Sequence, residues 1–462
     1  MTGRRRSSSP RPSWIAQNPS GDARTARITE AAGKPRTTRG TSWTAPARPA
    51  ALLVAGALLA TGCGVLPGGG NGSRESVTVM TFAPEKTQAT NLPGMPAMAK
   101  AYARWVNSDG GIDGHRLRII SCNEKNTAIG ASACARRAVA EKVDAVVGSY
   151  SQHGHSFMAP LEAAGIPFIG GYGITEEEFT SYLSYPVNGG QSALLAGHGM
   201  QLADLCRHVS LVRPDSLAGD GQLELLNAGL ARSGRESTDI LAPEDATDYT
   251  RAAARARSKA GDPGAEADDS RPGCVTATLG ERTETFFDSF RRLPDDDLSI
   301  RVSSVHGSVG QSLIDRTGGR SGAFEGAFIT GWYPAGGDAR WDAMREVINT
   351  HAFADNSVDP TDPGAQTTWI AYGVLRAVIE EIDSAEITPQ RIAHTLDSGV
   401  RVDTGGLTPP LRWDFEDMLG TPGLPRVVNP GVTFQVVSQG RLVAQREGFV
   451  DVGKALNAAV DL

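Results

Sequence analysis

The sequence has 462 residues, of which 40% are hydrophobic and 21% charged, with 54 glycines and 27 prolines. This length exceeds what one hydrophobic core usually serves, so we expect two packed lobes, and the composition excludes a collagen-like or fibrous chain. Residues 1–48 hold ten Lys or Arg and two Asp or Glu, a local charge of +8 within a total of −7. The remaining charge of −15 argues against nucleic acid as a partner of the folded part.

Targeting signals follow the basic N-terminus. An apolar run covers residues 50–60 and is followed by two small residues and Cys63. About 12 apolar residues are too few to span a ~30 Å hydrocarbon core, but they suit the hydrophobic region of a signal peptide. The segment resembles a bacterial lipobox, with Ala60 where leucine is usual. We therefore predict that residues 1–62 are a disordered signal and targeting region, removed before a lipid-carrying Cys63.

A glycine-rich stretch after the predicted cleavage site indicates a flexible tether over residues 63–75. A lipid on Cys63 would hold such a chain at the outer face of the bacterial cytoplasmic membrane. The alternative interpretation is that residues 50–60 form a buried helix at the start of a cytosolic protein.

Short strands alternate with helices from residue 76 onward, which is typical of parallel sheets covered by helices. Apolar residues at helical spacing run up to a glycine pair at residues 110–111, which suits a helix C-terminus. This first series predicts one doubly wound lobe. Its predicted elements are strand 77–82, helix 95–107, strand 116–121, helix 130–142, strand 145–147, helix 157–164 and strand 167–169.

A second α/β series begins with a helix near residue 201 and predicts a second lobe. Residues 261–273 are polar and rich in Gly and Pro, so we expect a surface loop there, and we expect a strand over residues 324–332 to return to the first lobe. The other predicted elements are strand 209–212, helix 222–230, strand 238–241, helix 249–259, strand 274–278, helix 283–292, strand 300–303, helices near 341–351 and 367–382, and a hairpin over 432–437 and 442–445.

These elements predict the division of the chain into lobes. The N-terminal lobe is expected to comprise residues 76–198 and 329–400. The C-terminal lobe is expected to comprise residues 199–328 and 401–462.

Four cysteines remain besides Cys63, an even number in a compartment that permits disulfides. The layout of strands and helices favours two pairs, with other connectivities left open: Cys122 with Cys134, and Cys206 with Cys274. Because no Cys-x-x-Cys spacing occurs, we expect neither a metal knuckle nor a redox motif.

A longer motif lies between the first predicted helix and the second strand. Residues 106–114 read Val-Asn-x-x-Gly-Gly-Ile-x-Gly, and here the sequence resembles the type I periplasmic solute-binding proteins, specifically the branched-chain amino-acid (Leu/Ile/Val) receptor group of ABC transporters. The resemblance implies two doubly wound α/β lobes, joined by three crossovers, that close on a small ligand. Further matches occur in the same order at residues 127–138, 143–148, 165–169, 247–250 and 369–375.

The resemblance also implies ligand-binding positions in the first lobe. The turn after the third strand offers a serine hydroxyl to the ligand, which corresponds to Ser151, with Ser149 two residues earlier. The loop after the fourth strand offers backbone groups at Tyr172 and Gly173 and a hydroxyl at Thr175. The alternative for both serines is a structural role at the start of the following helix.

Two further features concern the second lobe and the aromatic residues. In the family a second-lobe acid pairs with the ligand's ammonium, and Glu281 is our candidate for it, with Glu284 as the other choice. We expect Tyr150 and Trp332 to line the pocket together with Tyr172, although such residues also cover the edges of lobes.

Nothing in the sequence supports catalysis. A Gly-x-Ser-x-Gly elbow and a Walker-type phosphate loop are both missing from the sequence. His153 and His155 have no companion at ligand spacing, so we expect no metal and no cofactor.

The function that the resemblance implies is capture of a small polar solute, such as an amino acid or related compound, and its delivery to the permease and ATPase subunits of an ABC transporter. The alternatives are a tethered sensor that signals to a membrane receptor without transport, and a hydrolase. The residues leave the solute open among amino acids, short amides and small aromatic acids.

Overall fold

The computed structural model describes the chain from residue 75, and the side chains of residues 217, 218, 281 and 460 are not part of the description. The predicted targeting region, Cys63 and nearly all of the tether lie outside the described residues. Within them, no helix combines the length and apolar character needed to cross a membrane. The described ranges are 75–87, 90–243, 246–262, 270–294, 298–353, 355 and 357–460.

The first lobe is built on a parallel sheet of five strands in the order β2-β1-β3-β4-β5. Strand β1 shows why the sheet is covered on both faces: Val77 and Val79 pack into one buried cluster, and Met80 and Phe82 pack into another. The strands are β1 (Val77–Ala83), β2 (Leu117–Asn123), β3 (Ala145–Val147), β4 (Phe168–Ile169) and β5 (Ser184–Tyr185).

The second lobe contains a larger mixed sheet of eight strands. Its main path is β12-β11-β10-β9-β8-β6-β7, and β13 pairs with β11. The strands from β7 to β10 are parallel, whereas β11 runs antiparallel to β10, β12 and β13. The strands are β6 (Val209–Pro214), β7 (Thr238–Ala242), β8 (Gly273–Ala277), β9 (Ile300–Val305), β10 (Phe328–Gly331), β11 (Gly431–Ser438), β12 (Arg441–Ala444) and β13 (Val450–Asp451).

Helices cover the faces of both sheets, and several begin with the capping residues expected at a helix N-terminus. Asp362 accepts the N–H of Ala365 at 2.8 Å before a helix whose first residue is Pro363. The helices are α1 (Gly94–Ser108), α2 (Ala128–Ala140), α3 (Gly154–Ala164), α4 (Glu177–Thr180), α5 (Gly190–Leu205), α6 (Leu217–Leu230), α7 (Thr250–Gly261), α8 (Thr283–Arg291), α9 (Gln311–Arg316), α10 (Asp342–His351), α11 (Pro363–Ile382), α12 (Pro389–Asp397) and α13 (Gly453–Val460).

The predicted two-lobed α/β architecture is confirmed, but the strand expected over residues 324–332 is in the other lobe. β10 pairs with β9 in parallel and with β11 antiparallel, so it belongs to the second sheet. The chain returns to the first lobe only after this strand. Its next two residues, Trp332 and Tyr333, are buried in the cluster that also covers the first sheet.

A second difference concerns the segment after residue 400, which we expected in the C-terminal lobe. Val402 pairs with Leu411, and both belong to the buried cluster of the first sheet. Trp413 packs against Tyr185 of β5, with ring centroids 5.9 Å apart, and its Nε1 donates to the Pro186 carbonyl. The segment therefore stays with the first lobe until it approaches β11.

The chain passes between the lobes three times, and the crossing segments are hydrogen-bonded to one another. Asn188, after β5, donates from Nδ2 to Tyr333 Oη at 2.9 Å. Asn429, before β11, donates to the Val187 carbonyl at 2.9 Å. Thr433 Oγ1 donates to the Tyr333 carbonyl at 2.6 Å. Asn188, Tyr333, Asn429 and Thr433 are called the crossover network below.

Two disulfide bonds join helices or their ends to strands, in the pairs that the sequence layout favours. Cys122 of β2 is bonded to Cys134 of α2, and Cys206, just after α5, is bonded to Cys274 of β8. The first pair closes a sequence separation of 12 residues and the second a separation of 68.

We expect the second disulfide to stabilise the fold more than the first. A cross-link that closes a longer loop removes more entropy from the unfolded chain, about 4 kcal/mol for the Cys206–Cys274 separation against about 3 kcal/mol for Cys122–Cys134. Replacing Cys206 and Cys274 by alanine should therefore lower the thermal unfolding midpoint further than replacing Cys122 and Cys134. Equal losses, or the reverse order, would contradict this expectation.

Candidate functional site

A cavity of about 350 Å³ lies between the lobes, at the carboxyl ends of strands from both sheets. The first lobe contributes Tyr150 after β3 and Tyr172 after β4, and the second lobe contributes His306 and Gly307 after β9. Ligands of open α/β sheets bind at this position, because the loops that follow parallel strands converge there. We call this space the inner cavity.

Three aromatic side chains form one wall of the inner cavity, and all three are among the predicted site residues. Tyr150 and Tyr172 have ring centroids 5.2 Å apart at an interplanar angle of 76°. Tyr172 and Trp332 have centroids 5.0 Å apart at 88°. Trp332 Nε1 donates to the Gly190 carbonyl at 2.8 Å, which fixes the indole ring. Tyr150, Tyr172 and Trp332 are called the aromatic wall.

The two predicted serines have structural partners within the first lobe. Ser149 Oγ accepts the Phe82 N–H at 3.1 Å. Ser151 Oγ donates to Glu124 Oε2 at 3.2 Å and accepts the backbone N–H of His153, just before α3, at 3.1 Å. Both serines are buried, and neither is among the residues that line the inner cavity. This geometry favours a structural role for both serines: Ser149 binds strand β1, and Ser151 binds the turn before α3.

The loop after β4 holds a buried carboxylate that the sequence analysis missed. Glu178 Oε1 accepts the N–H groups of Ile174 at 2.9 Å and Thr175 at 3.0 Å, and Glu178 Oε2 accepts the Gly173 N–H at 3.0 Å. The Thr175 hydroxyl also donates to Glu178, at 3.2 Å. Burial raises the pKa of Glu178, and the hydrogen bonds act against that shift. The Thr-x-x-Glu spacing of residues 175–178 is the capping-box pattern that could have revealed it.

The two candidates for the second-lobe acid, Glu281 and Glu284, both follow β8. Glu281 lies in the short helical turn Gly280–Arg282 after β8, but its side chain is outside the described part of the chain. Glu284 pairs with Arg316 at 3.0 Å, and both line an adjoining outer cavity of about 410 Å³.

His306 is a cavity residue that no motif predicted. Its side chain is 3% exposed, and burial lowers its pKa to about 4, against a hydrogen bond to the backbone of Thr361 that raises it. His306 Nδ1 has no hydrogen-bond partner among the described residues. The ring is therefore neutral at physiological pH, and this nitrogen is buried without a partner in the described part of the chain.

Asp362 is a second cavity residue that no motif predicted. It is the carboxylate among the described side chains that line the inner cavity. It caps α11 through the N–H groups of Ala365 and Gly364, while burial raises its pKa to about 6. The Asp-Pro sequence marks a helix start, but nothing local places that start at the cleft. No described side chain that lines the inner cavity is Lys or Arg.

The comparison with protein families identifies the class of protein. Residues 87–419 match the family described as Periplasmic binding protein, which is most of the chain. The chain belongs to this family and has the type I periplasmic binding protein fold. No curated protein sequence matches the chain.

Solved structures share the fold at low sequence identity. A branched-chain amino-acid ABC transporter protein from Thermus thermophilus with bound valine is 14% identical, with a TM-score of 0.65 over 83% of this chain and 98% of that chain. A substrate-binding periplasmic protein from Ralstonia solanacearum is 15% identical, with a TM-score of 0.64 over 80% of this chain and 100% of that chain. A solute-binding protein from Rhodopseudomonas palustris BisB5, in complex with 3,4-dihydroxybenzoic acid, is 14% identical. Its TM-score is 0.62 over 82% of this chain and 98% of that chain.

The contact between Gly307 and Tyr172 allows a test of how the lobes meet. Gly307 has φ of +97°, and a Cβ added there would lie 2.8 Å from Tyr172 Oη. Gly307→Ala should therefore lower the thermal unfolding midpoint through both backbone strain, worth about 1 kcal/mol, and the clash. Adding Tyr172→Phe should recover part of that loss, since it removes the hydroxyl.

Gly280→Ala is the matched control, because Gly280 also lines the cavity at positive φ but has open space where its Cβ would lie. If Gly307→Ala cost no more stability than Gly280→Ala, the two lobes would not be in contact at this point.

Proposed function

We propose that the chain captures a small polar solute in the inner cavity and delivers it to the permease of an ABC transporter, whose ATPase subunits drive uptake. One observation carries the proposal: the inner cavity is lined by loops of both lobes and by Trp332, which directly follows β10. A solute bound there contacts both lobes at once, so binding favours the closed arrangement. A closed receptor is the form that a permease can distinguish from an empty one.

The proposed activity is binding without chemical change. A hydrolase would require a nucleophile and a base that converge on the cavity. Ser151 contacts the carboxylate of Glu124 and the backbone of His153, with no hydrogen bond to an imidazole ring. Its hydroxyl is buried outside the inner cavity, which supports a receptor over an enzyme.

The proposed location is the outer face of the cytoplasmic membrane, where a lipid on Cys63 anchors the chain. The sequence supports this through the basic segment, the apolar run and the lipobox-like residues before Cys63. The first described residue, Glu75, is held at the first lobe, since its carbonyl contacts His115 Nδ1 at 2.6 Å. The other ring nitrogen of His115 contacts the Ser384 carbonyl at 2.8 Å. Glu75, the last residue of the proposed tether, therefore lies near the end of α11.

Solute binding is tested with the soluble chain that begins at Ser73. A thermal-shift screen of amino acids, amides, amines and aromatic acids should give a saturable rise in the unfolding midpoint for at least one compound. Tyr150→Ala should weaken the affinity for that compound at least about tenfold, because the substitution removes part of the aromatic wall. Tyr182→Ala should leave affinity unchanged, since Tyr182 is 61% exposed. Binding that survives Tyr150→Ala would place the solute elsewhere.

Lipidation is tested by expressing the full chain in bacteria fed a clickable fatty acid. The wild-type protein should carry the label and sediment with membranes, whereas Cys63→Ser should be unlabelled and released. A matched control is Cys122→Ser with Cys134→Ser, which should keep the label because these cysteines form a disulfide. Label retained by Cys63→Ser would contradict the anchor.

A further inference from the structure

At two places beside the inner cavity, backbone donors that could hold an anion already have internal partners. The loop after β4 is the first case. A backbone N–H carries one hydrogen, and those of Gly173, Ile174 and Thr175 all point to Glu178. Gly171 leaves room for this arrangement, since a Cβ there would lie 2.0 Å from Glu178 Oε2. A ligand carboxylate would have to displace a buried carboxylate from these donors.

The N-terminus of α11 is the second case. Such an end normally attracts anions, because its first N–H groups are unpaired. Here Pro363 has no N–H, and the N–H groups of Gly364 and Ala365 are hydrogen-bonded to Asp362. The side chain that faces the cavity at this point is therefore a carboxylate, and it repels an anionic ligand.

Charge distinguishes Asp362 from the other polar side chains of the cavity. Gln152, Gln191 and Ser308 are neutral and can both donate and accept hydrogen bonds, so they do not select between an amine and a carboxylate. Asp362 is the carboxylate among the described lining side chains, and an ammonium group would pair with it.

The aromatic wall completes the description of the ligand. Its three rings meet edge to face and give the cavity an apolar surface, against which the body of a ligand can pack. No described lining side chain is Lys or Arg, so nothing in the inner cavity would neutralise a carboxylate.

We propose that the solute is an amine that carries an ammonium group and an apolar body but no carboxylate, with the ammonium at Asp362 and the body on the aromatic wall. Glu178 acts as the specificity determinant, because it fills the donor loop that a carboxylate would need. The proposal rests on the proposed function and narrows the solute to one chemical class.

Calorimetry with matched compounds tests the ligand class on the soluble chain from Ser73. The probes are benzylamine, benzamide and benzoate, and isopentylamine, 4-methylpentanoate and leucine, which share an apolar body and differ in the polar group. The amines should bind at least about tenfold tighter than the carboxylates and leucine. Tighter binding of a carboxylate or leucine overturns the ligand class and leaves solute capture intact. If none of these probes binds but the thermal-shift screen identifies another solute, the ligand class fails and solute capture stands. If neither the probes nor the screen yields a ligand, both proposals fail.

Two variants test the residues. Asp362→Asn keeps a good helix cap, so it should fold while losing at least about tenfold in amine affinity and little in benzamide affinity. Asp342→Asn, an exposed acid in the first turn of α10, is the control and should bind like wild type. Unchanged amine affinity in Asp362→Asn overturns the assignment of the ammonium.

Glu178→Ala should free the donor loop and increase affinity for benzoate or leucine at least about tenfold, whereas Glu177→Ala on the same helix should not. If Glu178→Ala is unstable, acetate should raise its unfolding midpoint and leave wild type unchanged, because acetate can replace the missing carboxylate. No gain in carboxylate affinity and no effect of acetate would overturn the role of Glu178.

Discussion

The crossover network is the constraint on which the cleft depends. Asn188, Tyr333 and Asn429 come from three separate passages between the lobes, yet their hydrogen bonds join those passages into one unit. Tyr333 Oη also contacts the Thr367 hydroxyl of α11 at 2.9 Å, which links the network to the helix whose cap is Asp362. All of these groups are buried, so their bonds are costly to break and hold the three passages together.

The crossover network also determines which loops of the two lobes lie next to each other. Strands β3 and β4 of the first sheet and β8 and β9 of the second end on the same side of the network, and their loops enclose the inner cavity. Tyr172 of one lobe reaches Gly307 of the other, where a side chain would prevent the approach. The chemistry of the space then follows from its polar groups. Glu178 and Asp362 use the backbone donors beside the cavity, and the remaining lone pairs of the Asp362 carboxylate are available to a ligand.

Much of the fold could be predicted from the sequence because it is encoded locally. The alternation of short strands and helices gives two α/β lobes, and the glycine pair at residues 110–111 marks the end of α1. Sheet membership is not local, and for that reason the lobe predicted for β10 was wrong: the strand is held between β9, which precedes it, and β11, which lies about a hundred residues later. The same applies to the segment around Trp413, which is held by a contact with Tyr185.

The residues of the candidate site also differ in whether the local sequence could reveal them. Aromatic residues at strand ends could be predicted, since Tyr150, Tyr172 and Trp332 each follow a buried strand. The serines were ambiguous, because a hydroxyl near a helix start serves a cap as well as a ligand, and the partners of Ser151 exist only in the fold. Glu178 had a readable signal in its spacing from Thr175. His306 and Asp362 had none, because their position at the cleft follows from how β9 and α11 are arranged in space.

The most direct test of this account is a crystal structure of the soluble chain grown with its tightest-binding amine. The account predicts the ammonium nitrogen within hydrogen-bond distance of the Asp362 carboxylate, the apolar body against Tyr150, Tyr172 and Trp332, and Glu178 still bonded to the N–H groups of residues 173–175. A ligand whose polar group binds those N–H groups, with Glu178 displaced, would contradict it.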